Sequence, residues 1–128
     1  MLDLVIVGSI GLDDVQTPFG KVEGALGGSA AYAAASASFF AKPGVVSVIG
    51  QDLPKEYLSL LKKRSIDLSG LSESKRNFRW SGSYEFDMSE AKTLKTELNS
   101  LGTFKPTLPQ HFRDCHFLFL ANIDPDLQ

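Results

Sequence analysis

The chain alternates between apolar runs that end on glycine and segments with a mixed, periodic pattern. "LDLVIVGSI" is rich in β-branched residues and is stopped by Gly8 and Gly11, which predicts a buried, central, parallel strand. "GVVSVIG" predicts a second buried strand, framed by Pro43, Gly44 and Gly50, and "HFLFLANI" a third. Between them, "VQTPFGKVEG" alternates apolar and polar residues around Pro18 and Gly20, the pattern of a hairpin or exposed ribbon. "NFRWSGSYEFDM" reads as a strand pair or a strand bulged near Gly82.

Two helices are predicted. In "QDLPKEYLSLLKKR", Asp52 can cap, Pro54 falls in the first turn, and Leu53, Tyr57, Leu60 and Leu61 form a stripe. Lys62, Lys63 and Arg64 close it where cations suit the helix dipole. From Ser29 to Ala41 every residue is Ala, Ser, Tyr or Phe, with Tyr32, Ala35, Ser36, Phe39 and Phe40 on one face, Ser29 as a candidate cap, and small residues that allow close approach to a sheet. Gly27 and Gly28 precede it. They serve either as a flexible joint before a helix start facing an anion, or as a tight turn before a core helix. "SEAKTLKTELNSLGTF" fits both periods. Leu94, Leu98 and Leu101 make a helical face, and Leu94, Thr96 and Leu98 a strand face; propensity leans to helix.

Strand, helix, strand, helix, strand is the order of an α/β fold with a parallel sheet, whose ligands bind beyond the carboxyl ends of the strands. With 128 residues there is room for one small domain. A net charge of −2 without a basic run points away from nucleic acid, and no apolar stretch is long enough for a membrane span. The first residues lack a positive flank and a cleavage site, so no signal peptide is expected, and the lone Cys115 has no internal disulfide partner; a cytoplasmic location fits both. His111 and His116 have no metal-ligand spacing with Cys115 or with each other. The dinucleotide glycine fingerprint and the P-loop are both absent.

Taken together, "VGSIGLDDV", "TPFGKVEGALGGSAAYAAASASFF", "VVSVIGQDLP" and "SIDLSGL" resemble, in order, the N-terminal part of the PfkB/ribokinase family of carbohydrate kinases, with Ser65 where the last motif usually has Gly. The resemblance implies a ribokinase-like, Rossmann-type parallel sheet with a β-ribbon lid, made of segments near 14–26 and 76–104. Residues 1–128 would be the N-terminal, substrate-side part of one domain. It implies transfer of the ATP γ-phosphoryl group, with Mg²⁺, to a hydroxyl of a sugar, nucleoside or related polyol. Asp13 matches the family aspartate that accepts hydrogen bonds from substrate hydroxyls, a task suited to an acceptor-only, charged group. Gly27 and Gly28 match the pair that lets the lid close. Ser29, Arg79 and Asn122 are further candidates for contact with substrate, and relatives that dimerise through their lids suggest a homodimer. Asp14 reads as solvated or a turn residue. Phe19, Arg79 and Trp80 are candidates to touch substrate or a partner lid, Trp80 and Phe78 read equally as ribbon packing, and Asn122 and Asp124 either reach the same cleft or form a turn before Pro125.

The family's G-A-G-D signature, which supplies the catalytic base and the phosphate cradle, does not occur in these residues. The stretch is therefore expected to be a truncated, inactive portion of such a kinase. A non-catalytic binding or assembly module without the nucleotide-binding half is the alternative, and a non-kinase α/β nucleotide binder a third reading.

Overall fold

The computed structural model describes residues 1–128 and holds two four-stranded sheets. The strands are β1 (Leu4–Val7), β2 (Gly11–Thr17), β3 (Gly20–Gly27), β4 (Pro43–Gly50), β5 (Asp67–Ser74), β6 (Phe78–Tyr84), β7 (Ala91–Glu97) and β8 (Phe117–Leu120). Two helices, α1 (Ser29–Ala37) and α2 (Lys55–Lys63), flank β4 in the chain.

The first sheet runs β5-β4-β1-β8, all parallel. Its central strands are covered on both faces. Ile6, Val45 and Ile49 join a core with Ala30, Ala31 and Ala34 of α1 and Leu61 of α2. Their neighbours Val5, Val7, Val46 and Val48 point the other way, onto Phe104 and Phe112 of the irregular segment before β8. All eight residues of β4 are buried, so an alternating pattern would have been wrong for it.

The second sheet runs β3-β2-β6-β7. Two antiparallel hairpins, β2–β3 and β6–β7, meet through a parallel β2–β6 pair. The ribbon expected around Pro18 and Gly20 is the β2–β3 hairpin, and β6 is a single strand with a bulge between Ser81 and Gly82.

Several expectations need correction. The segment leaning to helix is β7 followed by a 3-10 turn at Asn99–Thr103, because pairing with β6 outweighs local propensity. β8 is an edge strand, and its four residues are exposed, Phe117 by 69%. Its apolar run does not make it a buried strand, because no residue of this chain covers it. In α1, as expected, the small residues pack on the sheet, and Tyr32, Phe39 and Phe40 are exposed. The helix stops at Ala37, short of Ala41.

Ser29 is the first helical residue of α1; Gly28, at φ 98°, holds the cap position. Asp52 does not cap α2, where Pro54 takes the cap position. Leu53 and Leu61 are buried there and Tyr57 packs on the core, but Leu60 is exposed and Leu58 packs in its stead. Just past α2, Ser65 sits at φ 58°, the left-handed position a glycine takes at no steric cost. No helix is long and apolar enough to cross a membrane.

Candidate functional site

A cleft of about 340 Å³ opens beyond the carboxyl end of β1, between the start of α1 and the inner face of the second sheet. Asp13, Gly28, Ser29 and Asn122 all line it, together with Ser9, Tyr32, Phe78 and Trp80. Four of the six candidate residues are thus brought to one place.

Its floor is a reciprocal serine contact. Ser9 N–H donates to Ser29 Oγ at 3.1 Å, and Ser29 N–H donates to Ser9 Oγ at 3.0 Å. Ser29 Oγ also donates to the Asn122 carbonyl at 3.1 Å, and Ala30 N–H donates to the Ser9 carbonyl at 2.9 Å. The first two N–H groups of α1 are therefore satisfied inside the protein, and the helix start is fastened to the end of β1. Gly8 allows this contact, since a Cβ there would lie 2.7 Å from Ser29 Oγ.

Asp13 lies on β2, not in a loop, and faces the cleft. Burial first, and then the neighbouring Asp14 carboxylate, hold its carboxyl above the usual carboxylate range. Asp14 is not simply solvated: its Oδ1 accepts from Gly24 N–H at 2.7 Å where β2 and β3 slip register. The Tyr57 hydroxyl on α2 donates to the Gly24 carbonyl at 2.6 Å and ties this irregularity to the core.

The two glycines do different work. A Cβ on Gly27 would overlap the Asp13 carboxyl, whose Oδ1 would be 2.8 Å away. Gly27 is therefore the space into which the carboxylate fits. Gly28 combines φ 98° and ψ 148° with a close approach to the Ser9 carbonyl and Gly11 N–H, and only glycine takes that conformation without strain.

On β6 successive side chains alternate faces. Phe78 and Trp80 line the cleft, with the Trp80 ring lying across Gly82 and its indole N–H donating to Thr93 Oγ1 at 3.2 Å. Arg79 points to the opposite face, where its guanidinium meets Asp52 at 3.7 Å, so it does not line the cleft. Asp124 accepts from Asp126 N–H at 3.0 Å and starts the last turn. Cys115 is half-buried against the second core, and His111 and His116 lie far from the cleft, near Asp67 and Asp3.

Sequence reasoning missed Asn77. It is fully buried at the junction of the two sheets, hydrogen-bonded through both ends of its side-chain amide. No periodicity or motif marks it, because two of its three side-chain partners, the Gly50 N–H and the Ile10 carbonyl, lie far away in sequence.

No family model matches the chain. Over 72 residues it is 43% identical to the cytidine kinase of Thermococcus kodakarensis, a stretch that covers 56% of this chain and 26% of that protein. Among solved structures, the adenosine kinase from Sinorhizobium meliloti superposes with a TM-score of 0.73 at 14% identity, over 93% of this chain and 46% of that one. The nucleoside kinase of Methanocaldococcus jannaschii, an archaeal member of the ribokinase family, gives 0.68 at 16% identity, over 98% and 46%. The chain thus spans about a quarter of the curated relative and under half of each of these structures. In motifs and in architecture alike, it has the ribokinase-like α/β fold and resembles the N-terminal portion of the PfkB/ribokinase-family kinases.

Proposed function

We propose that this chain is the substrate-side portion of a kinase of ribokinase fold, which transfers the ATP γ-phosphoryl group to a hydroxyl of a nucleoside, sugar or related polyol. The observation that carries this reading is the Asp13 carboxylate, half-buried in a cleft with an aromatic wall and seated in the gap left by Gly27. An acceptor-only group in a partly desolvated site binds paired hydroxyls with charge-assisted bonds and fixes which oxygen is presented for reaction. Phe78 and Trp80 offer apolar faces to a planar ring beside those hydroxyls, which favours a nucleoside over an acyclic polyol. The cytidine kinase similarity points the same way.

In this reading the second sheet is the lid, and Gly28 is the joint about which it swings. Ser29 and Asn122 form the floor under the sugar, and Arg79 braces the lid from behind through Asp52. Binding of ATP and Mg²⁺ is assigned in this reading to the part of such kinases that bears the G-A-G-D signature, and the chain alone is expected to lack kinase activity. Exposed Phe19 and Phe86, stacked edge-to-face at 5.7 Å on the second sheet's connections, favour pairing of two lids in a homodimer. A cytoplasmic setting completes the proposal.

The test is titration calorimetry of the purified chain with cytidine, ribose and Mg-ATP. Binding of cytidine that is lost in Asp13→Asn, with no binding of Mg-ATP, is the expected result. Cytidine affinity unchanged in Asp13→Asn refutes the assignment, and tight Mg-ATP binding refutes the division of labour. Sedimentation velocity of the same sample tests the dimer.

A further inference from the structure

Four stretches of chain pass between the two sheets: Gly8–Ile10, Gly28, Lys75–Asn77, and the residues after Glu97. Asn77 gathers three of them. Its side chain is 0% exposed, and every polar atom on it is used. Oδ1 accepts from Gly50 N–H at 2.9 Å, at the carboxyl end of β4. Nδ2 donates to the Ile10 carbonyl and to the Phe78 carbonyl, each at 3.0 Å. Those carbonyls lie at the starts of β2 and β6, the parallel pair at the middle of the second sheet.

The main chain repeats the arrangement. Asn77 N–H donates to Asp52 Oδ1 at 2.7 Å, and the Asn77 carbonyl accepts from Asn99 Nδ2 at 2.9 Å. Ser100 N–H donates to the Arg76 carbonyl at 2.9 Å. Gly50 packs so closely on this point that a Cβ there would collide with the Asn77 main-chain nitrogen.

The chemistry leaves little choice of residue. One acceptor must face the Gly50 N–H while two donor hydrogens face two carbonyls, and within this volume a primary amide supplies both. An aspartate would set an oxygen against two carbonyl oxygens. An alanine or leucine would remove the side-chain partner of three main-chain groups, two of them in buried bonds.

We propose that Asn77 is a positioning residue, the pivot that sets the angle between the two sheets and so holds Asp13, Phe78 and Trp80 over the Ser9–Gly28 floor. Asn77 itself lies outside the cleft lining. It acts through Ile10 and Phe78: one precedes β2, which carries Asp13, and the other opens β6, which carries Trp80. The inference deepens the proposed substrate site and rests on it.

Trp80, the single tryptophan of the chain, reports the sheet angle without a ligand. Asn77→Ala should raise the acrylamide quenching constant of Trp80 and red-shift its emission below the unfolding transition, with far-ultraviolet circular dichroism unchanged. Cytidine binding should weaken about tenfold or more, because small misplacements of a binding group are costly. Asn99→Gly keeps the residue's φ of 46° accessible, removes one bond of the junction, and should move both readouts less, in the same direction. Asp67→Ala, at the far end of the first sheet, serves as a control that lowers the melting temperature and leaves Trp80 as it is. The proposal is overturned if Asn77→Ala and Asn99→Gly lower the melting temperature while Trp80 quenching and emission stay at the wild-type values. Should Asn77→Ala fail to fold, Asn99→Gly decides by the same criterion. If the wild-type chain binds no cytidine, the substrate reading fails, and Trp80 quenching still decides the role of Asn77.

Discussion

Replacing Gly27 by alanine separates a glycine needed for its neighbour from one needed for its own backbone. The three atoms that a Cβ on Gly27 would meet first all belong to the Asp13 carboxyl group, with Cγ at 2.5 Å and Oδ1 at 2.8 Å. The main chain at Gly27 is not in the left-handed region, so no backbone strain opposes the methyl, and Asp13 is what it meets first. To make room, the carboxylate must leave its rotamer, at a cost of about 0.5–1.5 kcal/mol, and tighter contacts elsewhere add to this. Against it stands the usual gain of about 0.4–1 kcal/mol from stiffening the unfolded chain. With Asp13 present, Gly27→Ala should be close to neutral or destabilising by about 1 kcal/mol. With Asp13→Ala already in place, the same methyl should stabilise by about 0.4–1 kcal/mol. A coupling of about 0.5–2 kcal/mol between the two positions follows, above the usual error of additivity over most of that range. Urea denaturation of the four proteins at pH 7 measures it. Gly27→Ala alone should also weaken cytidine binding by about 1.5–3 kcal/mol, since the displaced carboxylate loses a charge-assisted bond. If Gly27→Ala changes stability equally with and without the Asp13 carboxylate, the packing argument is wrong.

Asp13→Asn should raise the melting temperature at pH 7 while abolishing substrate binding. The folded carboxyl titrates above its ordinary value of 3.8, so ionisation costs the folded state, and the gain should vanish as pH falls below about 3.8. Gly28→Ala should cost about 2 kcal/mol or more, from strain at φ 98° and contact with the Ser9 carbonyl, and a thermal melt unchanged from wild type refutes that strain. Ser65→Gly should stabilise by about 0.5–1 kcal/mol in urea denaturation, because a left-handed φ of 58° is costless only for glycine. Burial pulls Asp67 upward, yet hydrogen bonds from Ser69 and then the His111 ring hold its carboxyl below the usual range; its stabilisation, present at neutral pH, should fade as pH drops below about 3.8, and Asp67→Asn should flatten that acid limb of the melting curve.

The central strands were legible because burial on both faces erases alternation, and β4 is buried along its whole length. The same logic misplaced β8. An unbroken apolar run states what a strand needs covered, not whether the covering residues lie in the same stretch of chain. On α1 the small residues were legible as the side that lets the helix approach the sheet, and the sheet comes close enough to admit only Ala30, Ala31 and Ala34, which leaves the aromatics outside. Asp13, Gly28, Ser29 and Asn122 were legible chiefly through the resemblance to the PfkB/ribokinase family, with the place of Asp13 after the first strand of a parallel α/β fold as a second pointer. Arg79 stands on the face of β6 away from the cleft, which the sequence alone does not tell, because the face a strand residue takes depends on register, which β6 acquires only on pairing with β2.

The parallel β2–β6 pair also dictates an order of assembly. Each hairpin of the second sheet can form from local sequence in microseconds. Their union cannot, because Ile10 and Asn77 are 67 positions apart and the intervening chain carries β2, β3, α1, β4, α2 and β5. Closing that loop from a disordered chain is entropically unfavourable, whereas a folded first sheet brings its ends together beforehand. The wall that bears Asp13 and Trp80 is therefore expected to dock late in folding. Substitutions along the β2–β6 seam should speed unfolding and leave the refolding rate nearly unchanged, whereas substitutions in β1 and β4 should slow refolding itself.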